Sequence, residues 1–305
     1  MPWLQTRIKE GNKLRKQYPD IITKTKQLFV HKIATFVLTQ TQPLIIYAFT
    51  TLTIVAYYGN YMVVILGLVT LNNSIFNGIG ASIGNLVSEG NKEKILDVFQ
   101  ELYSIRFIFT SVLVLTAYYI TPQFIEIWIG NGSLLDDSVL ILILISAFIT
   151  ITRQTVDGYI QAYGLFNDMW APATEAALNI VMSISLGYLW GINGVLSGSI
   201  ISLVIIVLGW KPYFLFRQGL KERLFTYVKI FVIHHTLLGL VILCFTMLGI
   251  DFSFNLTQNR YIDLVLNVCI SALSIIVILT LLLAITTRGT KIFINRLVTQ
   301  LKIKY

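Results

Sequence analysis

The feature that most limits what this chain can fold into is a pair of apolar runs within residues 170–210, separated by Gly-Ile-Asn-Gly at residues 191–194. Each run is close to the ~20 residues that a helix needs to cross a bilayer. The first run carries Glu175, Asn179 and Ser183 at i, i+4 and i+8, positions that share one side of a helix. A carboxylate near the centre of a membrane helix costs roughly 2.5–3.5 kcal/mol. The sequence therefore predicts a membrane hairpin whose polar stripe faces protein or water and not lipid.

The composition extends this prediction to the whole chain. Of the 305 residues, 55% are hydrophobic and only 12% are charged, with a mean hydropathy of +0.74. Soluble domains contain about 25% charged residues, so an all-α integral membrane protein is predicted. The net charge is +8, but the basic residues lie between apolar runs and form no continuous stripe, so nucleic acid is not a predicted partner. Both cysteines lie in apolar runs, and no cofactor, metal site or disulfide is predicted.

About eight transmembrane helices are predicted, the hairpin at 170–210 supplying two and the others lying near residues 28–56, 62–86, 102–121, 138–163, 227–248 and 263–286. Residues 1–27 form a basic arm, residues 28–216 form a six-helix lobe, and residues 217–305 form two additional helices and a basic tail. With eight spans, 20 of the 23 lysines and arginines fall on one side of the membrane. By the positive-inside rule that side is the cytoplasm, and both termini lie there.

Several local features lead to predictions within single spans. We expect Pro43 to kink the first span and the adjacent polar run, including Gln42, to line a cavity. The tyrosine-rich segment 57–61 is predicted to form the first outer turn. Pro122 is predicted to close the third span. Arg106 is expected to extend back to the headgroups. A stripe of small and polar residues in the second span is expected to pack against a neighbouring helix: Asn73, Asn77, Gly80 and Gly84.

The intramembrane charges are predicted to meet. The fourth and fifth spans are joined by a short turn around Phe166, so residues equally distant from it lie at similar depth. Asp157 and Glu175 are each nine residues from Phe166, and Arg153 and Asn179 are each thirteen from it. Two acids and one arginine are therefore expected to cluster. Such a cluster fits a proton or cation site coupled to an anionic substrate, and it equally fits an ion pair that only locks two helices.

The two adjacent histidines are the other residues with metal-binding chemistry. His234 and His235 point about 100° apart on a helix, so both cannot bind one metal ion. We expect them at the membrane interface.

The sequence resembles polysaccharide flippases of the O-antigen and capsule type, which belong to the multidrug and oligosaccharidyl-lipid/polysaccharide exporter superfamily. The resemblance lies in the Glu-x-x-x-Asn-x-x-x-Ser stripe, the Gly-Ile-Asn-Gly-Val turn and the following Ser-Gly-Ser-Ile-Ile-Ser, and also in Tyr-Gly-Asn-Tyr at 58–61, Ile-Gly-Asn-Leu at 83–86 and Trp-Ile-Gly at 128–130. It covers most of residues 28–216.

This resemblance implies a multi-pass protein of the bacterial inner membrane that translocates an undecaprenyl-pyrophosphate-linked oligosaccharide for polysaccharide biosynthesis. Its partners would be the lipid-linked oligosaccharide and membrane lipids, with Arg153, Asp157, Glu175, Asn179 and Gln42 as substrate- or ion-binding residues. Such flippases have two six-helix lobes, so this chain resembles a carboxy-terminal half that pairs with a first-lobe chain or a second copy. Many relatives have an acid where this chain has Gln42.

Two other functions compete with this interpretation. A multidrug/cation antiporter shares the fold, and a smaller cavity with an acid-rich first lobe would favour it. A membrane polysaccharide polymerase or ligase needs catalytic groups at the outer face, commonly on a large loop. The longest predicted outer loops have only about fifteen residues and no basic cluster, so we expect that the chain is not an enzyme.

Overall fold

The computed structural model describes residues 10–304 except 12, 16, 169 and 255. Within that part of the chain every regular element is helical, and six helices are long and apolar enough to cross a membrane. The chain is therefore an all-helical, multi-pass membrane protein, as the composition predicts. The predicted basic arm lies partly outside the described residues, and its end belongs to the first long helix.

The first three helices are α1 (Pro19–Phe49), α2 (Leu52–Phe76) and α3 (Ile79–Glu89). The prediction of an outer turn at residues 57–61 is wrong, because α1 ends at Phe49 and residues 57–61 are helical. Thr51 caps α2 instead, accepting a hydrogen bond from the Ile54 backbone N–H at 3.3 Å. The predicted second span is also interrupted, since α2 and α3 are separated by residues 77–78.

The central helix is α4 (Lys92–Trp128), whose 37 residues extend about 55 Å. Its first half packs into an aromatic core with Phe99 and Phe107, and its second half packs into an aliphatic core around Ile125. The helix continues through Pro122, which was predicted to close it. A proline removes one backbone hydrogen bond without ending a helix that is supported on both sides.

Two consecutive helices, α5 (Asp137–Thr152) and α6 (Gln154–Ala162), form the predicted fourth span. They are separated only by Arg153. Backbone hydrogen bonds continue across this residue, from the Arg153 N–H to Ile149 and from the Asp157 N–H to Arg153, each 3.0 Å long. Arg153 is therefore the junction between α5 and α6, and its guanidinium lies at this junction.

The predicted hairpin is present in α7 (Trp170–Ser202) and its continuation to Leu220. Gly191 has φ +56°, a conformation that favours glycine, and there the chain turns back on itself. Ser183 Oγ in the first arm, residues 170–189, donates to the Val195 carbonyl in the second arm, residues 192–220, at 2.9 Å. A Cβ atom at Gly198 would overlap the Ser183 backbone, so glycine is required for this close approach.

The last helices are α8 (Leu224–Met247), α9 (Arg260–Thr286) and α10 (Arg288–Lys304). One stripe of α9 is buried at every fourth residue: Asp263, Asn267, Ser271, Ile275, Leu279 and Leu283. The segment predicted to be a basic tail is helical, and α10 packs along α4. Arg296 binds Glu101 at 2.9 Å, and Arg288 binds Asp97 at 2.8 Å.

The six candidate spans omit α1 and count the two arms of the hairpin as one helix. The number of eight spans, the division into a lobe and two additional helices, and the cytoplasmic position of both termini therefore stay predictions.

Candidate functional site

The three predicted charged residues lie together. Arg153 Nε donates to Asp157 Oδ2 at 2.8 Å, one helical turn along the same helix. Arg153 Nη1 donates to Glu175 Oε1 at 3.4 Å, which links α6 to α7. The prediction of their proximity is confirmed, because the short connection around Phe166 makes α6 and the first arm of α7 antiparallel neighbours. We call these three residues the charge cluster.

The charge cluster has a buried end and an exposed edge. The Glu175 side chain is 3% exposed, whereas the side chains of Arg153 and Asp157 are 23% and 25% exposed. The surface of the fold therefore includes one cation and one anion within apolar spans.

A second arginine lies beside the cluster. Arg106 on α4 is buried, and its guanidinium carbon is 4.4 Å from the centre of the Phe76 ring. The prediction that it extends to the headgroups is wrong, since α4 continues past this position on both sides. Asp157 is near enough to Arg106 for an electrostatic attraction between the two charges. Arg106 Nε has no hydrogen-bond partner among the described residues. Arg106 thus adds a second cation near Asp157, although no ion pair of the described residues includes it.

A buried ion pair that sequence reasoning missed lies at the open end of the hairpin. Lys211 Nζ contacts Asp168 Oδ2 at 2.8 Å, and both side chains are almost fully buried. The rings of Trp170 and Trp210 lie beside it with centroids 4.6 Å apart. The signal was available, because residues that flank the two ends of a hairpin must be neighbours. The predicted hairpin ended at residue 210 and so left Lys211 outside it, whereas the second arm continues as a helix to Leu220.

Asn179 is not part of the charge cluster. Its amide nitrogen donates to Ser202 Oγ on the second arm at 3.5 Å. Ser183, one turn further, contacts Ser199 Oγ at 3.4 Å. The prediction that the stripe of Glu175, Asn179 and Ser183 avoids lipid is confirmed, since all three are buried. Beyond Glu175 the stripe serves mainly to join the two arms.

Gln42 is also separate from the cluster. It is half-buried on α1, and no hydrogen bond or ion pair of the described residues joins it to Arg153, Asp157 or Glu175. The polar residue that does connect an early helix to this region is Asn72, which donates to Gln154 Oε1 at 2.7 Å and is fully buried. This bond ties α2 to the start of α6, beside Arg153.

Two further sequence predictions are wrong, those for the glycines of the second span and for His234. Gly80 and Gly84 pack against no neighbouring helix in the described part of the chain, because an added Cβ atom would meet nothing within 4 Å there. His234 is fully buried and not interfacial, with Nε2 3.0 Å from Ser104 Oγ. Among the described residues, no three histidine, cysteine or acidic side chains are grouped so that they could hold a metal ion.

Comparison with protein-family models, with curated proteins and with solved structures found no match. Chemically, the charge cluster can exchange one partner of Arg153 for another anion, or move a proton to or from Glu175. Both require access from the exposed edge.

Proposed function

We propose that this chain forms one lobe of a membrane transporter that translocates a polyprenyl-pyrophosphate-linked oligosaccharide for polysaccharide biosynthesis. The observation that carries the proposal is the charge cluster, with its exposed edge inside apolar spans. The assignment to oligosaccharide comes from the resemblance of the hairpin and the other quoted motifs to polysaccharide flippases.

The exposed edge of the cluster favours a substrate path. Charged side chains that face lipid cost several kcal/mol, roughly 2.5–3.5 near the centre of a span. Arg153 and Asp157 are each about a quarter exposed, so this edge is expected to face a water-filled cavity or another protein surface. Intramembrane charges in such a position commonly mark substrate or ion paths.

A second polar surface lies on α2. Thr70 and Ser74 occupy one side of the helix, Asn77 caps its carboxyl end, and all three are exposed. The two hydroxyl groups donate to backbone carbonyls one turn earlier, at 2.7 and 2.9 Å. Small and polar faces of this kind line cavities or join membrane helices. We therefore propose a second lobe opposite α2, supplied by a partner chain or a second copy, since alternating access requires two moving halves.

The geometry favours an anionic substrate over exchange of cations. Both acids of the cluster already bind Arg153, so an incoming cation would have to displace an arginine. An anionic pyrophosphate could instead replace Asp157 at the exposed side of the guanidinium. Arginine binds phosphate through two parallel hydrogen bonds, which makes this exchange chemically reasonable.

The experiment measures binding of undecaprenyl pyrophosphate to the purified chain by native mass spectrometry. We expect binding to weaken by at least tenfold in Arg153→Ala, since the loss of each charged hydrogen bond costs ~1.5 kcal/mol. Arg153→Lys should retain most of the affinity. Arg260→Ala is the matched control, because the side chain of Arg260 is 77% exposed and its ion pair with Glu126 is long, at 3.8 Å, and therefore weak.

Equal affinity in wild type, Arg153→Ala and Arg153→Lys would contradict the proposal. Ethidium, an organic cation, is measured in parallel. If the chain binds ethidium and Asp157→Asn abolishes that binding, the multidrug/cation antiporter replaces the flippase as the better assignment.

A further inference from the structure

An apolar groove of about 450 Å³ lies on the outer side of the hairpin, on the face opposite the buried polar stripe. The first arm contributes Trp170, Thr174 and Leu178, and the second arm contributes Ile205, Gly209 and Tyr213, with Trp210 between them. The volume is within the range of ~300–1,000 Å³ that is typical of ligand sites. Gly209 lines this open groove, and a larger side chain at that position would occupy part of it.

One end of the groove is aromatic. The rings of Trp170 and Trp210 contact each other edge to face. The ring centroids of Trp210 and Tyr213 are 5.6 Å apart. The buried pair of Asp168 and Lys211 and the connection between α6 and α7 lie at the same end. Tryptophan and tyrosine are enriched where hydrocarbon meets headgroups, so this end lies at headgroup depth.

A basic side chain is fixed at the aromatic end. Arg217 donates a hydrogen bond to Tyr213 Oη, and its guanidinium carbon is 5.6 Å from the centre of the Tyr213 ring. Arg217 is exposed, and among the described residues no carboxylate lies within 4 Å of it. Trp210 Nε1 is buried and has no hydrogen-bond partner there. A cation without a carboxylate partner and an N–H donor without a hydrogen-bond partner, both judged among the described residues, thus lie at one end of the apolar groove.

We propose that this groove is a binding site for an anionic phospholipid, with an acyl chain between Leu178 and Ile205 and the phosphate at Arg217. The apolar lining fits the hydrocarbon chain, and the charge of Arg217 complements the headgroup. Basic pockets between membrane helices bind anionic headgroups in this manner. The site is on a different side of α7 from the charge cluster, so this inference does not depend on the proposed transport function.

The experiment uses tryptophan fluorescence of the full chain in nanodiscs, with Trp170 and Trp210 retained and the other tryptophans replaced by phenylalanine. Phosphatidylglycerol or phosphatidylcholine with brominated acyl chains is titrated as the quencher. We expect half-maximal quenching at about fivefold lower mole fraction of the phosphatidylglycerol, which corresponds to ~1 kcal/mol for one basic residue. A chain that retains only Trp190 is the control, because Trp190 is 61% exposed at the opposite end of the hairpin.

Two variants separate the headgroup from the channel. Arg217→Gln should abolish the preference for phosphatidylglycerol and leave quenching by phosphatidylcholine unchanged. Gly209→Val should reduce quenching by both lipids, whereas Gly239→Val, at an exposed helical position where a Cβ atom would meet nothing within 4 Å, should not. Circular dichroism establishes that each variant is folded.

Equal quenching by the two lipids in the wild type, or a preference that survives Arg217→Gln, would overturn the proposal and leave only ordinary boundary lipid. Displacement of the brominated lipid by undecaprenyl phosphate but not by unlabelled phosphatidylglycerol would also overturn it, in favour of a carrier-lipid site.

Discussion

At the scale of single residues, Arg153 determines the character of the site. It binds one carboxylate on its own helix and one on the neighbouring helix, and it lies where α5 gives way to α6. The sequence could predict this contact because both helices leave the same short turn, so depth follows from counting residues. It could not predict the partner of Asn179, since the second arm approaches that side of α7 more closely than α6 does. The position of Arg106 was predicted wrongly because its neighbour Phe76 lies on another helix and is distant in sequence.

The pairing of Arg153 leads to a stability prediction. Arg153→Ala leaves two carboxylates without their partner, and breaking a buried pair costs about 3–5 kcal/mol. We expect the lower end of that range, because Arg153 is 23% exposed. The double variant Arg153→Met with Glu175→Leu should be destabilised much less. Thermal unfolding in detergent measures both, and a double variant as unstable as the single one would contradict the pairing.

Lys211 provides an independent prediction. Its partner Asp168 has a side chain that is 1% exposed, so Lys211→Met removes the cation of a buried ion pair and should lower the free energy of unfolding by about 3–5 kcal/mol. Arg288→Met removes an ion pair of the same 2.8 Å length, but Arg288 is 65% exposed, and its loss should cost less than about 1 kcal/mol. Equal midpoints of unfolding for the two variants would show that Lys211 and Asp168 are solvated in the membrane.

At the scale of helices, the hairpin is the best predicted element and the early boundaries are the worst. Its turn was predictable because a Gly-rich segment separates two apolar runs of spanning length. The break at Thr50 and Thr51 was missed, since both sides are apolar and only the capping hydroxyl marks the start of α2. The helical form of residues 288–304 was missed because a basic tail pattern does not reveal that Arg296 and Arg288 have acidic partners on α4.

The close approach of the two hairpin arms can be tested at Gly198. An alanine there would overlap the Ser183 backbone and force the arms apart, which typically costs ~1–3 kcal/mol. Gly67→Ala is the matched control, because a Cβ atom at Gly67 meets nothing within 4 Å. That change should leave the protein as stable or more stable, since alanine favours a helix by roughly 0.5–1 kcal/mol. Thermal unfolding that ranks the two variants in the opposite order would contradict the packing.

At the scale of the whole molecule, α4 connects both cores, and the charge cluster lies beside it. The class of protein follows from composition, because a chain with 55% hydrophobic and only 12% charged residues has too few charged groups to keep its long apolar helices in water. The direction of each span does not follow from packing, since the same contacts would exist in either orientation. It depends on the asymmetric distribution of lysine and arginine.

Reporter fusions measure that orientation. With both termini in the cytoplasm, a fusion after residue 131 should be active in the periplasm and a fusion after Lys221 in the cytoplasm. These positions flank opposite ends of the membrane-crossing helices, so each controls for the other. The reverse activity at either position would contradict the eight-span arrangement.

The central claim is that the exposed edge of the charge cluster faces water within the membrane. A version without Cys244 and Cys269, both exposed, allows single cysteines to be labelled with a membrane-impermeant reagent. Ala173 is the matched control, because it is exposed in the apolar groove region and only seven residues from Phe166, whereas Asp157 is nine. The account predicts rapid labelling of Asp157→Cys and slow labelling of the shallower Ala173→Cys. Rapid labelling of Ala173→Cys with none of Asp157→Cys would contradict it.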